Sequence, residues 1–173
     1  MPKTDPATLP YRPCVGAVVI NDQGRVFIGH RADGPEEPEG PGTWWQMPQG
    51  GIDEGEDPET AVLRELYEET SMRSVEVIAE SEGWFTYDLP PELVGKAWKG
   101  RYRGQTQKWY LLRFTGSEDE IDILTPGGGH HKAEFNAWKW ADIGELTDHV
   151  VPFKKEVYAR IVAEFAGRVG SQR

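Results

Sequence analysis

Two apolar, β-branched runs stand near the start of the chain, Cys14–Ile20 (CVGAVVI) and Val26–His30 (VFIGH). The residues between them, Asn21-Asp22-Gln23-Gly24, are turn formers, so the pattern predicts a β-hairpin. Residues 33–43 (DGPEEPEGPGT) hold Gly, Pro and Glu with nothing to bury, which predicts a mobile loop. Asp57-Pro58 opens a helix, because aspartate caps a first turn well and proline suits the first helical position. From Glu59 to Thr70 there is no Gly or Pro. Ala61, Val62 and Leu66, with Leu63 as a further member, supply its apolar stripe. Val75–Ala79 and Ala137–Ala141 read as strands, and Gln107–Phe114 (QKWYLLRF) is the strongest strand signal. Residues 88–105 read as irregular and Thr125–Lys132 (TPGGGHHK) as a flexible loop. A second helix is expected over Phe153–Phe165, with Val157, Ile161 and Phe165 on one stripe beside Tyr158 and Val162.

At 173 residues this pattern fits one domain. It is expected over 11–166, with flexible ends at 1–10 and 167–173. Seven Trp, six Tyr and six Phe are enough to fill a core. No apolar run approaches the roughly 18 residues of a membrane span, and the first residues lack the apolar stretch of a secretory signal. The one cysteine, Cys14, can form neither an internal disulfide nor a thiolate zinc site. The expectation is a soluble cytoplasmic protein with no membrane partner. Nothing in the sequence points to a stable protein partner.

The formal net charge of −10 argues against a broad, non-specific nucleic-acid binder. The charge is also unevenly placed. Residues 53–82 carry Asp53, Glu54, Glu56, Asp57, Glu59, Glu65, Glu68, Glu69, Glu76, Glu80 and Glu82 against only Arg64 and Arg73. Residues 96–113 carry Lys96, Lys99, Arg101, Arg103, Lys108 and Arg113 and no acid. The division suits either a cation on one side and an anionic substrate on the other, or two differently solvated surfaces.

Arg64-Glu65-Leu66-Tyr67-Glu68-Glu69 is the most informative segment. Positions i, i+3 and i+4 share a helix face, so Glu65, Glu68 and Glu69 converge. Three close carboxylates repel one another unless cations neutralise them. Oxygen-only ligands suit hard ions, magnesium first and manganese as an alternative. Arg64 can orient Glu68 at i+4. A Gly-rich turn, Gln49-Gly50-Gly51, precedes the helix and lets backbone groups approach an ion or phosphate closely.

The spacing Gly50, five residues, Glu56, seven residues, Arg64-Glu65-Leu66-x-Glu68-Glu69, with Met72 beyond, resembles the box of the Nudix hydrolase family. It departs at Ser71, where the family has Gly closing the helix. Tyr11-Arg12-Pro13, Trp45–Gly51, Gln107–Tyr110, Glu134-Phe135 and Phe153–Tyr158 extend the resemblance over nearly the whole chain. They resemble the subgroup of bacterial RNA pyrophosphohydrolases and diadenosine tetraphosphate hydrolases.

The resemblance implies an α/β fold, an α/β/α sandwich with a mixed central β-sheet. It implies metal-dependent hydrolysis of phosphoanhydride bonds. The first expectation is removal of pyrophosphate from the 5′-triphosphorylated end of RNA. The alternative is cleavage of dinucleoside polyphosphates, and a third reading is a catalytically silent nucleotide sensor. The implied metal ligands are Glu65, Glu68, Glu69, Glu134 and the Gly50 carbonyl, holding two or three magnesium ions with substrate bound. The general base is one of Glu65, Glu68 and Glu134. Arg12 and Lys154 are implied to hold phosphates, Phe153 to stack on a base, and Arg31 to contact a second nucleotide. Tyr87 and Lys108 are weaker phosphate contacts. His130 and His131 read as loop residues, and the tryptophan pairs 44/45 and 138/140 as mostly core.

Overall fold

The computed structural model describes residues 8–31, 44–95, 97–151 and 154–170. The expected loop at 33–43, Phe153 and residues 1–7 of the expected N-terminal tail lie outside them. The centre of the molecule is β1 (Tyr11–Ile20) paired in parallel with β7 (Gly104–Phe114), from Tyr11↔Gly104 to Ile20↔Arg113. Antiparallel neighbours complete a mixed sheet. β2 (Val26–Arg31) pairs with β3 (Trp45–Gln46) and β8 (Phe135–Ala141), β4 (Gln49–Gly51) pairs with β1, and β5 (Val75–Glu80) and β6 (Phe85–Asp88) divide the length of β7.

Alternation along β1 explains the layers. Val15, Ala17 and Val19 pack with Ala61, Val62 and Leu66 of α1 (Pro58–Thr70). Val18 and Ile20 point the other way, into a core with Val157, Tyr158, Ile161 and Phe165 of α3 (Lys155–Gly170). Successive strand side chains face opposite sides, so a strand apolar at nearly every position must be covered twice. A single turn of helix, α2 (Leu146–His149), leads toward α3.

The expected turn closes as read, with Gly24 N donating to Asn21 O at 3.0 Å and Asn21 N to Arg25 O at 3.0 Å. The hairpin is otherwise minimal. β1 and β2 register only at Ile20↔Val26, after which β4 takes Cys14–Gly16 of β1 and β8 takes β2. Leu63 is 38% exposed and does not belong to the buried stripe of α1. β7 begins at Gly104, inside the stretch read as irregular, and β6 was not read at all, since only Phe85 and Tyr87 of its four residues are buried. α3 runs to Gly170 with Val169 buried, past the domain edge expected at 166.

Candidate active site

Helix α1 carries the acidic half of the site, and its two ends fix its position. At its start the Asp57 carboxylate accepts from Glu59 N at 3.1 Å and Thr60 N at 3.2 Å. At its end Ser71 takes a left-handed conformation, φ 68°. Glycine adopts that conformation without strain. Here the serine hydroxyl donates to Asp122 O at 3.0 Å and accepts from Gly127 N at 3.0 Å, so it ties two loops to the helix end.

Arg64 organises the face between those ends. Its Nε and Nη2 donate to the Glu56 carboxylate at 2.8 and 2.9 Å, in the two-pronged geometry that suits guanidinium and carboxylate. Nη1 donates to Glu65 Oε1 at 2.9 Å and Glu68 Oε2 at 3.0 Å, and Nη2 also reaches Gly51 O at 2.9 Å. The guanidinium holds the Glu56 carboxyl down at about 2. One cation thus fastens the Gly-rich turn, the acidic loop and two of the three clustered glutamates.

Glu69 is the exception. It is 7% exposed, and its Oε2 accepts only the Gln49 backbone N–H at 3.2 Å among the described contacts. Burial pushes its carboxyl well above the ordinary 4.5, and Glu65, Glu134 and Glu68 push it further. Burial likewise raises Glu65, against the opposing pull of Arg64. Glu134, exposed just ahead of β8, is therefore close enough for its charge to act on Glu69. Gly50 lies directly under Glu65, and a methyl group there would overlap the Glu65 carboxylate. His131, read as a loop residue, has Nε2 3.9 Å from Glu68 Oε1. Only its place in a glycine-rich segment hinted at this approach.

A basic half adjoins the acidic one. Arg12 lies so close to Gly51 that a methyl group there would meet its guanidinium, and its Nη1 donates to Cys14 Sγ at 3.8 Å. Its charge acts on Glu65 on one side, and together with Lys154 it acts on Cys14 on the other. Burial nevertheless dominates at Cys14 and pushes its thiol up to about 11. Lys154 is itself buried, 6% exposed. Tyr87 is a buried wall residue whose phenol feels both Arg12 and Arg31. Lys108 donates to the Ser81 carbonyl and so flanks β7. A neutral network missed by the sequence reading lines the same side. Trp109 Nε1 donates to Gln107 Oε1 at 2.9 Å, and Gln107 Nε2 donates to Gln105 Oε1 at 2.6 Å and Gln49 Oε1 at 3.2 Å.

The donor set at Glu65, Glu68, Glu69 and Gly50 is all oxygen and carries excess negative charge, which fits a hard divalent cation. Among the described residues no three acidic, histidine or cysteine side chains are yet gathered closely enough to hold an ion. Glu65 and Glu68 lean on Arg64 instead.

This arrangement and the two-layered mixed sheet define a recognisable class. The chain belongs to the Nudix family: the NUDIX domain matches residues 10–161. Members of that family with this box are hydrolases of phosphoanhydride bonds that use a divalent cation. Over 157 residues the chain is 59% identical to the RNA pyrophosphohydrolase of Azorhizobium caulinodans, covering 91% of this chain and 93% of that one. It is 58% identical over 162 residues to the RNA pyrophosphohydrolase of Bradyrhizobium sp. strain ORS 278, covering 94% and 96%. The fold matches that of the E. coli dihydroneopterin triphosphate pyrophosphohydrolase, with a TM-score of 0.64 at 20% identity over 89% of this chain and 98% of that one. Among the described residues no helix is long and apolar enough to cross a membrane.

Proposed function

We propose that this enzyme is an RNA pyrophosphohydrolase. It converts a 5′-triphosphorylated RNA end to a 5′-monophosphate and releases pyrophosphate. The observation that carries the reading is the near-full-length identity to RNA pyrophosphohydrolases, in a chain that keeps every box carboxylate. The geometry supports it, because the Arg12 guanidinium lies against Gly51, next to the turn on which Glu65 sits, where a phosphate chain needs a cationic partner.

In this reading Glu65, Glu68, Glu69, Glu134 and the Gly50 carbonyl hold magnesium, two or three ions with substrate present, and manganese can replace it. The bound ions supply charge neutralisation of the phosphates and activation of water. The chain's own residues do the rest. Arg64 holds Glu65 and Glu68 at the turn carrying Gly50, and Gln49 N–H holds Glu69. Arg12 and Lys154 orient the phosphates, and the guanidinium of Arg12 takes up charge that develops on them. Glu65, Glu68 or Glu134 accepts the proton of the attacking water. Phe153 stacks on a base and Arg31 meets the second nucleotide. Tyr87, buried within the field of both arginines, is a weaker phosphate contact.

The test is a product assay on 5′-triphosphorylated RNA and on a dinucleoside tetraphosphate, with Glu69→Gln as control. The reading expects monophosphorylated RNA and pyrophosphate as the dominant products, abolished by the variant. Turnover of the dinucleotide alone reassigns the substrate, and equal turnover by Glu69→Gln rejects the site.

A further inference from the structure

Beside Arg12 and Glu65 the site opens into a cleft of about 660 Å³ lined by Arg12, Gly51, Glu65, Lys99, Arg101 and Tyr102. Its other acidic members are Asp53 and Glu54, and Asp53 lies 3.6 Å from Arg64. Lys99 and Arg101 differ from the other basic residues around the site. Arg64 has acid partners, and Arg103 donates to Asp88 at 3.0 Å. Neither Lys99 nor Arg101 has a side-chain ion pair among the described residues, and both are exposed.

The backbone supplies a second, independent observation. Lys99 has φ 59°, one of two non-glycine residues with positive φ among those described. An L-residue held there is strained, and such strain collects at functional sites. The turn imposes it, since Gly95 and Gly100 on either side also have positive φ, 91° and 72°, and a side chain at Gly100 would press on Gly95 O at 3.0 Å. A tight turn therefore presents two unpaired cations, at i and i+2, to the cavity that Glu65 and Arg12 share.

We infer that Lys99 and Arg101 form the subsite for the terminal phosphate of the substrate, the one farthest from the nucleoside. This rests on the proposed function, in which the nucleoside lies at the Lys154 end. Arg12 also lines this cleft, so a phosphate chain seated at Arg12 can extend into it. Two cations in open water would attract the body of any nucleic acid, but here they line a cleft that also holds Glu65, which points them at the phosphates near the scissile bond. They raise the local concentration of polyanionic ends and steer them inward past Asp53 and Glu54.

The test compares wild type with Lys99→Gln/Arg101→Gln on short RNAs bearing 5′-triphosphate or 5′-diphosphate ends. The diphosphate lacks the phosphate assigned to this subsite. The double variant should lose kcat/KM about tenfold more on the triphosphate than on the diphosphate, mainly through KM, since a charged hydrogen bond to one phosphate is at stake. Equal losses on both ends, or losses that grow with RNA length, would overturn the assignment. A second readout needs neither turnover nor metal. With chelator present, inorganic tripolyphosphate should bind the double variant about tenfold more weakly than wild type, and equal affinities would overturn the subsite. If wild type turns over neither RNA, the functional reading fails, and the tripolyphosphate titration still decides the subsite.

Discussion

On the α1 face of the sheet the polar groups around the site are charged and half-exposed: Arg64 with Glu56, Glu65 and Glu68. On the α3 face they are mostly neutral and buried, the Trp109–Gln107–Gln105 chain with Gln49, beside a single buried cation, Lys154. The difference follows from what each face must do. In the proposed function these carboxylates exchange an arginine partner for an incoming cation, and nearby water lowers the cost of that rearrangement. A wall that shapes a substrate pocket gains from amides that satisfy one another, because a buried network with every partner in place is rigid. Glu69 stands between the two regimes, a charge-bearing group buried like a wall residue.

The largest expected effect tests that intermediate position. Glu69→Gln should lower kcat/KM by on the order of 10²- to 10³-fold, since in the proposed function it removes a metal ligand. It should also stabilise the metal-free protein at neutral pH. A carboxyl raised above 4.5 in the fold contributes stability that is full below 4.5 and is lost as pH rises through the raised value. The melting temperature of metal-free wild type relative to Glu69→Gln should therefore fall as pH climbs from 4.5 toward neutrality. Glu56 has the opposite sign. Held at about 2, its contribution is present above 4.5 and disappears only as pH falls toward 2. A Glu56→Gln difference that persists at pH 3 in thermal unfolding checks this.

Next comes Arg64→Met. It should destabilise the fold by about 2 kcal/mol in denaturant titrations, because three carboxylates and the Gly51 carbonyl lose their donor, with partial hydration softening the loss. On the other face, Gln107→Leu should cost about 1–2 kcal/mol by stranding the Trp109 indole N–H. If Gln107→Leu proves neutral, the buried amide chain is no rigid wall and the contrast between a wet and a dry face is wrong. The smallest effect is expected at Ser71→Gly. Relief of the left-handed backbone and loss of two hydroxyl hydrogen bonds are each worth about 1 kcal/mol, so stability should change by less than about 1 kcal/mol.

The acidic face was legible in the sequence because helical spacing alone brings Glu65, Glu68 and Glu69 together, and Asp57-Pro58 marks where that helix begins. The helix end at Ser71 was legible only through the resemblance, whose box closes the helix with Gly at that position. The glutamine chain was not. Gln49 meets Gln107 only because β4 and β7 flank β1 on opposite edges, a long-range pairing that no local pattern encodes. β6 hid because two buried residues alternating with two exposed ones over four positions make too short a signal. His131 and Lys99 owe their places to glycine-rich turns, whose composition announces a bend without saying where it aims a side chain.

The most direct trial of the account is calorimetric titration of magnesium into three metal-free proteins: wild type, Glu69→Gln and Glu59→Gln. Glu59 lies in the first turn of the same helix, outside the cluster, and its replacement removes the same formal charge. Wild type and Glu59→Gln should bind the cation alike and melt higher with it, while Glu69→Gln should lose most of both responses. Matching behaviour of the two variants would mean that the helix attracts cations by its overall charge, and that its buried carboxylate holds none.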